Sequence, residues 1–157
     1  MFSFTNFILV GFSAAIGAWL RWGTTYILAL LYPSLPLGTL LVNIVGGFIM
    51  GLSYAAFQSS AVNITEDVRV ALNVGFLGSL TTFSAYSADI LNLFQKGEIY
   101  MGITFIFANA LGVLLFSYLG WYLFNLFWTK FFSSRFFSSR FFSSRFFSSR
   151  FFSFDHY

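Results

Sequence analysis

Apolar residues fall into long runs, and polar residues collect in short gaps between them. Phe4 to Tyr32 is interrupted only by Arg21 as a charge. Further runs cover about residues 36–58, 68–94 and 99–128. A helix rises 1.5 Å per residue, so about 20 residues cross the ~30 Å hydrocarbon core of a bilayer. The pattern therefore predicts four transmembrane helices, at 4–31, 36–58, 68–94 and 99–128. They are too long for the h-region of a secretion signal, and no positive charge precedes the first. The connections are short. Tyr32-Pro33-Ser34-Leu35-Pro36 reads as a tight turn with Pro36 opening the second helix. Thr65-Glu66-Asp67 reads as an N-cap followed by acids at the positive end of a helix dipole. Gln95-Lys96-Gly97-Glu98 joins the third and fourth spans, and four crossings put both termini on one side.

Composition supports this reading. Hydrophobic residues make up 58% of the 157 and charged residues 8%, where a soluble domain carries about 25% charged. The fold class expected is an all-α membrane protein. Cysteine is absent and the one histidine is His156, which excludes thiol chemistry and Cys-ligated metals and leaves no His–carboxylate–nucleophile set for an enzyme. The net charge of +3 belongs to the tail. Over residues 1–130, Arg21, Arg69, Lys96 and Lys130 balance Glu66, Asp67, Asp89 and Glu98. Beyond them stand Arg135, Arg140, Arg145 and Arg150 against Asp155. The basic balance is thus no reason to expect a nucleic-acid partner.

Two regions follow: a four-helix membrane domain, 1–130, and a low-complexity tail, 131–157. Residues 131–150 are four copies of Phe-Phe-Ser-Ser-Arg. A period of five suits neither a helix stripe nor a strand face. We expect a repeat expansion at a tolerant terminus, disordered or lying in the interface with Phe at the headgroup boundary and Arg on anionic lipid.

Chemistry concentrates in the second, third and fourth spans. Asn43 is an amide inside an apolar helix and needs a partner, water or a ligand, with Thr39 one turn before it. Gly47 and Gly51 are spaced for close backbone approach. In the third span, Gly75 and Gly78 precede Ser79, Thr81, Thr82, Ser84 and Ser87. Glycines and a Thr-Thr pair at mid-span favour a break in the helix, and broken backbone at membrane depth needs protein, water or an ion to satisfy its carbonyls. Phe83 and Tyr86 share a face beside those hydroxyls, and ring edges carry positive potential that touches an anion without trapping it. The fourth span carries Asn109, with Phe105 one turn before and Ser117 two turns after. Arg21 implies a cavity, a polar partner or snorkelling to the interface, in an anion-steering or structural role.

The blocks Gly17-Ala18-Trp19-Leu20-Arg21-Trp22, Gly38-Thr39-Leu40-Leu41-Val42-Asn43 and Gly75-Phe76-Leu77-Gly78-Ser79-Leu80-Thr81-Thr82-Phe83-Ser84 resemble the CrcB/Fluc family of fluoride channels, over about residues 5–128. That resemblance implies an antiparallel homodimer of four-helix subunits in the bacterial plasma membrane, with two fluoride pores and passive efflux. It points to Asn43, Phe83, Tyr86, Ser84, Thr82 and Asn109 along the pore. It further implies a structural sodium ion held by main-chain carbonyls of Gly78 and Thr81. Two positions depart from the family: Tyr86 stands where a second Phe is usual, offering fluoride an extra donor, and Asp89 stands where Glu is frequent. Two competing readings are a small dual-topology multidrug exporter, which needs a membrane-embedded carboxylate, and a membrane assembly factor that transports nothing.

Overall fold

The structure is a computed structural model that describes residues 3–59 and 64–148; residues 149–157 of the repeat tail lie outside it. Every regular element among the described residues is helical: α1 (Phe4–Leu31), α2 (Leu37–Gln58), α3 (Glu66–Val70), a π-helix (Ala71–Leu77), α4 (Gly78–Leu80), α5 (Phe83–Gln95) and α6 (Ile99–Ser148). Three helices are long and apolar enough to cross a bilayer, namely α1, α2 and α6 over Ile99–Trp128. The chain is a membrane protein. The third run of the sequence is built differently, as four consecutive pieces from Glu66 to Gln95.

Local chemistry sets the ends. The chain leaves α1 through Tyr32, whose N–H donates to Leu28 O, and turns through a Leu35 N–H to Tyr32 O bond of 3.1 Å. Pro36 caps α2 from outside, so the helix begins one residue later than the proline itself. Thr65 stands at the N-cap of α3, but its side chain makes no capping bond. After α5 the chain closes a Schellman turn. Gly97 N–H donates to Phe94 O at 3.0 Å and Glu98 N–H to Leu93 O at 2.9 Å. Gly97 takes φ of +80°, which a side chain would resist.

Packing follows small residues. α1 lies against the π-helix and α4, and α2 lies along α6. A Cβ on Gly17 would strike Ser79 Oγ and Phe76 O, and one on Gly51 would strike Ser117 O. The Gly47 and Gly51 pair therefore marks a true helix contact, facing Val113, Ser117 and Trp121 of α6. The apolar core is small: Val42, Leu77 and Leu80, with Ile49, Leu72 and Phe76 packed on it. Most large apolar side chains point outward, among them Phe12, Trp19, Trp22 and Leu114, as expected where lipid is the solvent.

A neutral donor-lined cavity at an interrupted helix

Between α4 and α5 the backbone leaves the helix. Thr81 has φ −81°, ψ 151° and Thr82 has φ −152°, ψ 123°, both extended. An interrupted helix abandons hydrogen bonds, and their new partners can be traced. Thr81 N–H still reaches Leu77 O at 3.0 Å, and Thr81 Oγ1 donates to the same oxygen at 2.8 Å. Thr82 N–H goes instead to Asn43 Oδ1 at 2.8 Å, so Gly78 O loses its i+4 donor. Asn43 Nδ2 donates to Thr82 O at 3.1 Å and to Asn109 Oδ1 at 3.3 Å. Thr82 then restarts the helix as the N-cap of α5, its Oγ1 accepting from Ala85 N–H at 3.2 Å.

Beside this knot lies a cavity of about 620 Å³. Its walls include Asn43 and Gly47 from α2, Thr81, Thr82, Phe83 and Tyr86 from the interruption and α5, and Asn109 and Ser117 from α6. No lining residue carries a formal charge. Asn43, Thr82 and Asn109 are all buried, whereas Phe83 is 79% exposed on the isolated chain. The Phe83 and Tyr86 rings sit 5.6 Å apart, tilted by 50°. Tyr86 Oη donates to Ile106 O of α6 at 3.4 Å, so its hydroxyl is directed to backbone and not into the cavity.

Of the pore residues named from sequence, Asn43, Thr82, Phe83, Tyr86 and Asn109 line this cavity, together with Gly78 and Thr81. Ser84 does not line it; it is exposed, and its Oγ lies 3.2 Å from Thr82 Oγ1. Arg21 is also absent from the lining and makes no ion pair among the described residues. Gly78 and Thr81, whose carbonyls the resemblance assigns to a cation, both line the cavity. Gly78 O has lost its helical donor, because Thr82 N–H goes to Asn43 Oδ1. The cap role of Thr82 and its pairing with Asn43 emerge only from the fold. The pairing joins residues 39 positions apart, and periodicity carries no signal for it. A Thr before Phe-Ser-Ala-Tyr was the available hint of a cap.

A second, smaller cavity of about 190 Å³ sits where the α1–α2 and α5–α6 turns meet. Thr25, Thr39, Asp89, Asn92 and Lys96 line it, and Asp89 Oδ2 is buried there without a hydrogen-bond partner. The spans' one carboxylate thus lies apart from the main cavity.

The fold and site define a small polytopic helical membrane protein with an uncharged polar cavity at a discontinuous span. The model of the family described as "CrcB-like protein, Camphor Resistance (CrcB)" matches residues 8–121. A protein of Pseudomonas putida (strain W619) named fluoride-specific ion channel FluC is 41% identical over 115 residues, 73% of this chain and 90% of that one. A protein of the same name from Thiobacillus denitrificans is 41% identical over 118 residues, covering 75% and 94%. Another from Ralstonia pickettii is 38% identical over 124 residues, covering 79% and 93%. The chain belongs to the CrcB family.

Proposed function

We propose that this protein is a passive fluoride channel of the cell membrane, and not an enzyme. The observation that carries the reading is the uncharged, donor-bearing cavity at the interrupted span, in a chain whose relatives are named fluoride-specific ion channels. Fluoride is small and tightly hydrated, so a pore must replace its water with hydrogen-bond donors. Amides, hydroxyls and ring edges do this without the deep trap a row of Arg would create. Conduction needs sites that admit the ion and also release it. Asn109, Thr82, Phe83 and Tyr86 form that wall with Asn43, and Ser84 supports it through Thr82.

The working unit in this reading is an antiparallel homodimer. Phe83 stands 79% exposed at the mouth of the cavity, a poor place for a ring that must meet an ion, and a second copy would close over it. The interruption at Thr81 and Thr82 is the functional break. The Gly78 and Thr81 carbonyls would hold a structural sodium ion, which supplies a fixed positive charge in a site with none of its own. The exporter reading is not favoured, because Asp89 lies outside the main cavity. The test is efflux from proteoliposomes followed with a fluoride electrode, with chloride for comparison. Fluoride flux without nucleotide or proton gradient is expected; flux that requires either overturns the proposal.

A further inference from the structure

The repeat tail is the one motif that the channel reading leaves unused. α6 continues as a helix over 131–148, although its apolar window closes at Trp128. On a helix each residue turns about 100°, so each five-residue copy advances about 140° beyond a full turn. An endless repeat would spread its Phe evenly around the axis. Four copies do not. With Phe131 as the origin, Phe142, Phe146, Phe132, Phe136 and Phe147 fall at about 20°, 60°, 100°, 140° and 160°. Six of the eight Phe in 131–148 thus share less than half of the circumference. Phe137 and Phe141 lie opposite, at about 240° and 280°, with five of the seven Ser. Arg140 and Arg145 stand at about 180° and 320°, one beyond each border of the Phe arc, and Arg135 lies within it.

A helix with one aromatic side bordered by cations suits a bilayer surface. Its rings enter the acyl boundary while the long Arg stems carry guanidinium to the headgroup phosphates. No acid occurs between Glu98 and Asp155, so no carboxylate in the helix competes for those Arg. The repeat also begins three positions past Trp128, where the span itself leaves the membrane. That tether holds the lipid surface at high effective concentration. We propose that the 131–148 helix is an anionic-lipid-binding arm: it turns on to the membrane surface past Trp128, with its Phe side against the acyl boundary and Arg135, Arg140 and Arg145 on headgroup phosphates. The proposal needs only that the chain spans a membrane, and it stands whether or not fluoride passes.

The experiment places the full chain in nanodiscs of phosphatidylcholine, alone or with about one-third phosphatidylglycerol, which leave both membrane faces open to protease. Chymotrypsin cuts after Phe and so reads the arm without needing its Arg. Trimming within 131–148 is expected to be about tenfold slower in the anionic discs at low salt, and to return towards the neutral-disc rate at about 0.5 M salt. Replacing Arg135, Arg140 and Arg145 together by Gln should abolish the difference. A matched pair of variants tests the face. Phe132→Ser with Phe136→Ser removes two rings from the arc, and Phe137→Ser with Phe141→Ser removes two from the opposite side, at equal composition and equal loss of cut sites. Only the first pair should restore fast trimming in anionic discs. Equal wild-type rates in the two discs, or equal effects of the two pairs, overturn the proposal. Protection that ignores lipid charge and grows with protein concentration assigns the face to a second copy of the tail, and overturns it as well.

Discussion

Helices α1 and α2 look alike in sequence, both long and both apolar, yet they occupy opposite environments. α1 buries a single residue, Gly17. α2 buries nine, and seven of them are Gly, Thr, Asn or Ser. In a soluble protein the helix richer in Phe and Trp would be the inner one. Here Phe4, Phe7, Phe12, Trp19 and Trp22 of α1 face outward. Lipid tails solvate large apolar side chains as well as a protein interior does, so burial is left to residues that permit close approach or need polar partners.

The comparison is broken most severely by reversing it. Gly51→Leu would drive a side chain into Ser117 O and the Trp121 amide across the α2–α6 contact. Overpacking of this kind destabilises by about 3 kcal/mol or more where backbone must shift. The folded fraction in size-exclusion chromatography should collapse. Gly23→Leu on α1 meets nothing within 4 Å and should leave the profile unchanged. Equal tolerance at the two sites would refute the assignment of α2 as the inner helix.

The next contrast pairs two exposed phenylalanines. Phe12 on α1 is 70% exposed and Phe83 is 79% exposed, and only Phe83 lines the cavity and neighbours a second ring. Phe83→Ile should lower fluoride flux by about tenfold or more while the protein stays folded, on the scale of an aromatic edge interaction at an ion's transition state. Phe12→Ile should do nothing measurable in the same efflux assay. Equal losses in the two variants would show that lining the cavity does not set Phe83 apart from Phe12.

How far the fold could be read beforehand follows the same division. Hydrophobic run length placed α1, α2 and the apolar stretch of α6 within a residue or so, because membrane thickness imposes it. The polar density from Ser79 to Ser87 pointed to the third span as the unusual one. What it did not reveal was the widened π-turn over Ala71–Leu77, or that Asn43 would pair with Thr82. Both depend on contacts between distant segments. The Tyr86 hydroxyl is an extra donor by sequence, and it faces Ile106 O because α6 passes beside that ring.

A third contrast lies within one helix. α6 runs from Ile99 to Ser148, but its apolar window ends at Trp128. Arg135, Arg140 and Arg145 follow on the terminal side, then Arg150. Cationic residues within about 20 positions of a span bias that side towards the cytoplasm. The body has balanced charge, which suits insertion both ways up. Deleting residues 131–157 should move terminal-reporter ratios towards even and change flux per protein by less than about twofold. An unchanged ratio with lower flux would make the tail a working part of the channel.

The smallest effect is expected at Tyr86, and it separates ring from hydroxyl. The ring lines the cavity beside Phe83. The hydroxyl is bound elsewhere, at 3.4 Å from Ile106 O, beyond the 2.5–3.0 Å of a strong O–H···O bond. Ile106 O also lies in the turn of α6 whose helical bonding persists without Tyr86. Removing the oxygen in Tyr86→Phe therefore gives up a weak contact, worth less than about 0.5 kcal/mol, and keeps the ring edge in place. Flux should change by less than about twofold, the equivalent of that energy. A tenfold fall would mean that the hydroxyl turns from Ile106 to the ion during conduction, and the wall would then include a donor that the resting geometry directs to backbone.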